Sequence, residues 1–246
     1  MELNKIYLGD AYKLIKSLPD NSVDLVVIDP EYQMDEHGGG GAFGNKKRPF
    51  QNEVDKLASG LKNDILFELT RVMKKTNIYI FCNKNQVRQY LNYFVNQNID
   101  ILVWHKTNPI PRNNNKYLSD LEYIIFARDE GIPLYNTYHT SSKLFQTTIN
   151  KDDKNEYDHP TIKPLWIVKT LIENSSKEGD VVLDTFMGSG TTAVASKELG
   201  RNFIGFEIDP RYYQIATDRV NGISQIDRRA KENGVMDIWD FIGEES

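Results

Sequence analysis

Apolar residues along the chain fall into blocks of two kinds. Val23–Ile28, Asn77–Cys82, Asp100–Trp104, Leu121–Ala127, Val181–Leu183 and Asn202–Phe206 are short, nearly unbroken apolar runs. Such runs mark strands covered on both faces. Lys5–Leu8 adds a seventh, shorter strand. Between them, apolar residues recur at helical spacing in Ala11–Leu18, Leu61–Met73, Gln86–Asn96, Leu165–Asn174, 191–199 and Tyr212–Val220. Strands alternating with helices predict an α/β fold. Its expected form is a Rossmann-like, seven-stranded, mostly parallel sheet with helices on both faces, in one domain over 1–246. Three stretches break the pattern. Residues 33–60 hold Gly38–Gly41 and little periodicity, and read as a flexible loop. Residues 128–158 are polar and irregular, and 221–246 form a charged tail. Long loops inside a compact domain are usually functional or disordered.

Chemistry gathers where the predicted strands stop. Val181–Leu183 ends at Asp184, and Thr185-Phe186-Met187-Gly188-Ser189-Gly190-Thr191-Thr192 follows. Glycines at a strand–turn–helix entry let the backbone turn tightly and let a ligand approach it. The stretch lacks the Lys-Ser/Thr of a phosphate-binding loop and the third glycine of the dinucleotide fingerprint. Glu207 closes the next strand, where a carboxylate accepts from both hydroxyls of a ribose. Asp184 is placed to hold an ammonium group. Two acids without a phosphate-binding lysine suit a cationic nucleoside without phosphates, and S-adenosylmethionine is such a molecule. A structural turn with a solvated Glu207 is the plainer alternative.

Val23–Ile28 ends at Asp29-Pro30-Glu31-Tyr32. The exocyclic amine of a nucleobase is a poor nucleophile, because its lone pair is delocalised into the ring. Two acceptors aimed at its hydrogens would draw the nitrogen toward tetrahedral geometry and stabilise the charge that grows as a methyl arrives. The Asp29 carboxylate and the Pro30 carbonyl can be those acceptors. Tyr32 offers a ring for the base to stack on, worth ~1–3 kcal/mol. Alone, the stretch is equally an ordinary Asp-Pro turn.

Together the two stretches resemble the amino-group DNA methyltransferases, which methylate adenine N6 or cytosine N4. Asp184-x-Phe186-x-Gly188-Ser189-Gly190-Thr191-Thr192 is similar to the family's segment for the methionine part of the cofactor. Glu207 matches its ribose acid, and Asp29-Pro30-x-Tyr32 its catalytic motif. Asp10 matches the acidic position near the cofactor adenine. His159-Pro160-Thr161-x-Lys163-Pro164 resembles the other cofactor-flanking segment, so Thr161 and Lys163, with Asp29, join the implied cofactor site. Trp104-x-Lys106-x-Asn108-Pro109 looks like a further family stretch. The catalytic motif precedes the cofactor motif, as in the circularly permuted β group. One departure stands out: Glu31 replaces the second proline of the family's Asp-Pro-Pro-Tyr.

The resemblance implies a DNA adenine-N6 methyltransferase that uses S-adenosylmethionine, yields S-adenosylhomocysteine and acts on a flipped-out base. A cytosine-N4 enzyme, and a weakly catalytic DNA-binding or regulatory protein, are the alternatives; Glu31 motivates the latter. The net charge of −5 gives no global basic field, so any DNA surface is local. Lys46, Lys47, Arg48, Lys106, Arg112 and Lys116 are the candidate phosphate contacts. The segment 128–158 is the implied target-recognition insertion. Its shortness accords with a short recognition site or with a homodimer, and a cognate restriction endonuclease is a further candidate partner. With Cys82 alone there is no disulfide framework, and the four histidines hold no helix-spaced pair, so no metal is expected. No apolar run reaches membrane-spanning length, which excludes a membrane partner and points to the cytoplasm of a bacterial cell or a phage-infected host.

Overall fold

The computed structural model describes residues 1–33, 61–109, 117–148 and 162–223. In chain order these form β1 (Lys5–Leu8), α1 (Ala11–Leu14), β2 (Leu25–Ile28), α2 (Asn63–Val72), β3 (Asn77–Cys82), α3 (Val87–Tyr93), β4 (Asn98–Lys106), β5 (Leu121–Arg128), β6 (Leu144–Thr147), α4 (Leu165–Ser175), β7 (Val181–Asp184), α5 (Thr191–Glu198), β8 (Asn202–Glu207) and α6 (Pro210–Val220). The strands join one sheet in the order β1-β8-β7-β2-β3-β5-β4-β6. Neighbours are parallel throughout, except that β5 runs antiparallel between β3 and β4.

Both faces of this sheet are covered, which is why its central strands carry no polar side. Val26 and Ile28 of β2 pack with Ile65 and Leu69 of α2 and Tyr90 of α3. Leu25 and Val27 point the other way, into a cluster with Val168 and Leu171 of α4. Successive strand residues face opposite sides, so both sets must be apolar. Truncating a fully buried residue such as Ile28 or Leu69 would cost ~2–5 kcal/mol. A smaller cluster, Ile6, Phe203, Ala193 and Ala216, closes the β1 edge beneath α5 and α6.

The α/β class with helices on both faces is as expected, but among the described residues the sheet has eight strands rather than seven. The extra strand, β6, lies in the stretch 128–158 and pairs Leu144–Thr147 with Val103–Lys106. It sits at the sheet edge and only Phe145 of its four residues is buried, too little to leave a periodic signal. Between β5 and β6, β4 runs on through Lys106, so His105 and Lys106 are strand residues rather than the start of a loop.

The topology decides where the chemistry lies. β8, β7 and β2 are parallel neighbours, so Glu207, Asp184 and Asp29 come to one edge at their carboxyl ends. β2 precedes β7 in the chain yet lies beside it. β5 begins where β3 ends, with Tyr123 opposite Cys82, and this puts Glu122 at the same edge.

Candidate active site

The glycine turn is built by backbone geometry. Gly188 and Gly190 have φ of 53° and 86°, the left-handed region that favours glycine. At Gly190 space is also tight, since an added Cβ would sit 3.0 Å from the Ala216 Cα of α6 and α6 would have to give way. The turn delivers Gly188 N–H to Glu207 Oε2 at 2.6 Å, and Asp209 N–H donates to Glu207 Oε1 at 2.8 Å. Both carboxylate oxygens are thus fixed by backbone donors, and each keeps a second lone-pair site. Asp184 is buried, and Phe186 N–H donates to its Oδ1 at 2.9 Å. Burial pushes the Asp184 carboxyl up to about 7, against the Thr192 hydroxyl and the Phe186 N–H that favour its charge. Ser189 and Thr191 turn toward α6. Arg219 donates to the Ser189 carbonyl at 3.3 Å and to the Thr191 hydroxyl at 2.9 Å. Asp10 caps α1 by accepting from Tyr12 N–H at 2.9 Å, beside Gly9, whose N–H reaches the Glu207 carbonyl.

Asp29 follows β2 directly and its surroundings are mixed in charge. The Lys163 ammonium donates to Asp29 Oδ2 at 2.5 Å and lies 3.3 Å from Glu122 Oε2. Glu122 also accepts the Tyr32 hydroxyl at 2.8 Å and pairs with Lys106. Asp29 Oδ1 is buried and, among the described residues, has no hydrogen-bond partner. Lys163 lies under aromatic rings as well, 5.2 Å from the Tyr32 centroid and 5.4 Å from that of Phe81. Burial works against the Lys163 charge, but Asp29 and Glu122 outweigh it and hold the ammonium above its ordinary value. Burial likewise opposes charge on Glu122, yet Lys163 and Lys106 hold that carboxyl below the usual range. Burial lifts Asp29, with Lys163 opposing the lift.

The loop carrying the motif is braced from the turn after β3. Gln86 is fully buried and donates to the Glu31 carbonyl at 3.1 Å. Asn83 donates to the Gln33 carbonyl at 2.7 Å. Pro30 is buried. Burial, and then repulsion from Glu207, push the Glu31 carboxyl up to about 7.

Residues 23–218 match the sequence model of the N6/N4 methyltransferase family, described as DNA methylase. The chain belongs to this family. It is 30% identical over 235 residues to the type II methyltransferase M2.LlaDCHI of Lactococcus lactis subsp. cremoris, covering 87% of each chain. It is also 30% identical over 241 residues to the type II methyltransferase M2.DpnII of Streptococcus pneumoniae, covering 88% of this chain and 90% of that one. The crystal structure of the M1.HpyAVI–SAM complex superposes with a TM-score of 0.64 at 26% identity, over 87% of this chain and 98% of that one.

For a DNA methylase, two clusters at one sheet edge make a coherent site. Asp184, Phe186, Gly188, Thr192 and Glu207 gather at the carboxyl ends of β7 and β8, and Asp29, Pro30 and Tyr32 follow the neighbouring β2. Lys163 and Lys106, assigned from the sequence to cofactor and DNA respectively, are both tied to the Asp29–Glu122 side. Thr161, Lys46, Lys47, Arg48, Arg112 and Lys116 lie outside the described residues. Sequence reasoning missed Glu122, whose signal was an acid inside the apolar run Leu121–Ala127. It also missed Gln86, Asn83 and Arg219, which leave no pattern of their own. Among the described residues no group of His, Cys, Asp or Glu is arranged to hold a metal, and no helix is long and apolar enough to cross a membrane.

Proposed function

We propose that the protein transfers a methyl group from S-adenosylmethionine to the N6 amine of adenine in DNA. Membership of the DNA methylase family supplies the reaction class. The observation that carries the reading is the buried Oδ1 of Asp29, without a partner among the described residues, beside an Oδ2 already held by Lys163. A buried acceptor without a donor costs about 1–3 kcal/mol, which an incoming amine N–H would offset. The Pro30 carbonyl is the second acceptor, and the Tyr32 ring the stacking surface. The amine attacks directly, and the residues contribute position and electrostatics without a covalent enzyme–base intermediate.

The residues present fit the donor. The Asp184 carboxyl, held near 7 by burial, gains from a cation brought beside it. Glu207, fixed by two backbone N–H groups, has lone pairs left for ribose hydroxyls. When bound, the donor supplies the methyl from its sulfonium. Asp184 and Glu207 hold and orient it, and Asp10 stands at the same edge for its adenine.

Adenine is favoured over cytosine because the motif begins with Asp29 and ends with Tyr32, the form seen mostly in adenine enzymes. The motif order, catalytic before cofactor, supports the permuted β group. A cytoplasmic setting, in a bacterial cell or a phage-infected host, accords with DNA as substrate. A homodimer and a cognate restriction endonuclease belong to the same reading. The first rests on the short 128–158 segment, the second on relatives named type II methyltransferases. The test is incubation with tritiated S-adenosylmethionine and unmethylated DNA, followed by digestion to nucleosides. Label in N6-methyladenosine supports the proposal. Label in N4-methylcytosine replaces adenine by cytosine, and no label on any DNA overturns it.

A further inference from the structure

We infer that Glu122 is a positioning residue for methyl transfer, one that keeps an oxygen of Asp29 open for the target amine and sets the Tyr32 ring on which the base stacks. This rests on the methyltransferase reading above.

Among the described residues, Glu122 contacts Tyr32, Lys163 and Lys106, every member of the Asp29 cluster except Asp29 itself. Its Oε2 accepts the Tyr32 hydroxyl at 2.8 Å and lies 3.3 Å from the Lys163 ammonium; its Oε1 pairs with Lys106. Its side chain is only 12% exposed, so these contacts replace water rather than add to it. The Lys163 ammonium has three N–H donors and is more deeply buried, at 6% exposure. A buried ammonium seeks acceptors for all of its donors. With Glu122 present, Lys163 divides itself between two carboxylates and engages Asp29 through Oδ2 alone. Without that second carboxylate, the remaining anionic acceptor beside Lys163 is Oδ1 of Asp29. The ammonium would shift onto it and occupy the position meant for the amine.

The hydroxyl of Tyr32 acts in parallel. A phenol held by a charged acceptor pins the far end of its ring and so the direction of its long axis, and a charge-assisted hydrogen bond is about twice as strong as a neutral one. The same carboxylate therefore places the acceptor and the stacking surface together. Lys106 balances it: two ammoniums and two carboxylates make the cluster neutral overall, which suits its burial.

The test is Glu122→Gln, which keeps the size of the side chain and an acceptor oxygen but removes the charge. Single-turnover transfer from tritiated S-adenosylmethionine to unmethylated DNA should fall about tenfold or more, since small misplacement of reacting groups has large effects. Cofactor affinity by titration calorimetry should stay within about twofold, because the change touches transfer and not donor binding. Independently of activity, the Lys163 resonance in protein carrying 13C-labelled lysine should titrate at lower pH in the variant, since one of its two carboxylates is gone. Tyr32→Phe, which removes only the hydroxyl, should slow transfer with cofactor affinity kept. It decides the matter if Glu122→Gln does not fold.

Wild-type protein that labels no DNA brings down the methyltransferase reading and this inference with it. With wild-type protein active, transfer at the wild-type rate in Glu122→Gln overturns the inference alone. So does a loss of rate matched by an equal loss of cofactor affinity, or an unmoved Lys163 titration. If Glu122→Gln does not fold, an unchanged rate in Tyr32→Phe overturns it.

Discussion

Lys163 and Asp29, far apart in sequence, meet at 2.5 Å across the edge of the sheet, with Lys163 buried and Asp29 partly so. A pair formed this way is costly to break from one side, because the survivor is left as a buried, unmatched charge. Lys163→Met should therefore lower unfolding free energy by about 3 kcal/mol, the low end for a buried pair because Asp29 keeps 26% exposure. Urea denaturation reads this directly. Loss within experimental error would mean that solvent already compensates Asp29.

Asp29→Asn should leave the fold in place while ending useful transfer. The substitution keeps shape but replaces an anionic acceptor with an amide whose nitrogen repels an incoming N–H. Losing a charge-stabilising acceptor at a reacting centre costs roughly 100- to 1,000-fold in rate. Single-turnover transfer is the readout, with donor binding measured in parallel. A variant transferring at near wild-type rate would remove Asp29 from the reaction.

Two carboxyls at the site are held at about 7, Asp184 by burial foremost and Glu31 by burial and then Glu207. A raised acid binds more protons folded than unfolded, so stability falls as pH rises from the ordinary carboxylate value of about 4 to about 7, and is flat above. The ligand-free protein should melt higher at pH 5 than at pH 7.5, insofar as these two groups set the slope. Asp184→Asn should remove part of that slope and stabilise the ligand-free protein at pH 8 by about 1–3 kcal/mol. A cationic ligand favours the ionised forms, so donor affinity should rise with pH between about 6 and 8, with release of protons on binding. Calorimetry in buffers of different ionisation enthalpy counts those protons. Affinity independent of pH over that range would show that neither carboxyl faces the donor.

Much of this was legible in the chain because its central strands are buried on both faces, which turns each into an apolar run with an abrupt polar end. Asp29, Asp184 and Glu207 stand out for that reason, and parallel packing brings such ends together. Glu122 stands at the beginning of its run, and it reaches the site only because β5 runs against its neighbours. Strand direction is not written in periodicity. β6 was hidden because an edge strand with a single inward residue, Phe145, has no pattern to show. The pairing of Lys163 and Lys106 with acids was hidden too, since a lysine reads alike whether it meets a phosphate or a carboxylate.

Gln86 is the remaining support to test, and it bears on Glu31. Where the family has a second proline to stiffen the motif loop, this chain has Glu31, whose carbonyl accepts from Gln86 Nε2 at 3.1 Å. Gln86 also donates to the Tyr90 hydroxyl at 3.3 Å and accepts from Asn83 N–H at 3.4 Å, so its amide ties the loop to α3 and to its own turn. Gln86→Leu fills the same space without those bonds and leaves the buried Tyr90 hydroxyl short of a donor. It should cost about 1–3 kcal/mol of stability. If the amide replaces the missing proline's rigidity, transfer should slow in Gln86→Leu, and Glu31→Pro in the same chain should recover part of the rate. The recovery separates loop stiffening from general weakening, because a proline at 31 restores no contact to Tyr90. Slow transfer in Gln86→Leu with no recovery on adding Glu31→Pro would place the effect of Gln86 in the core rather than in the loop.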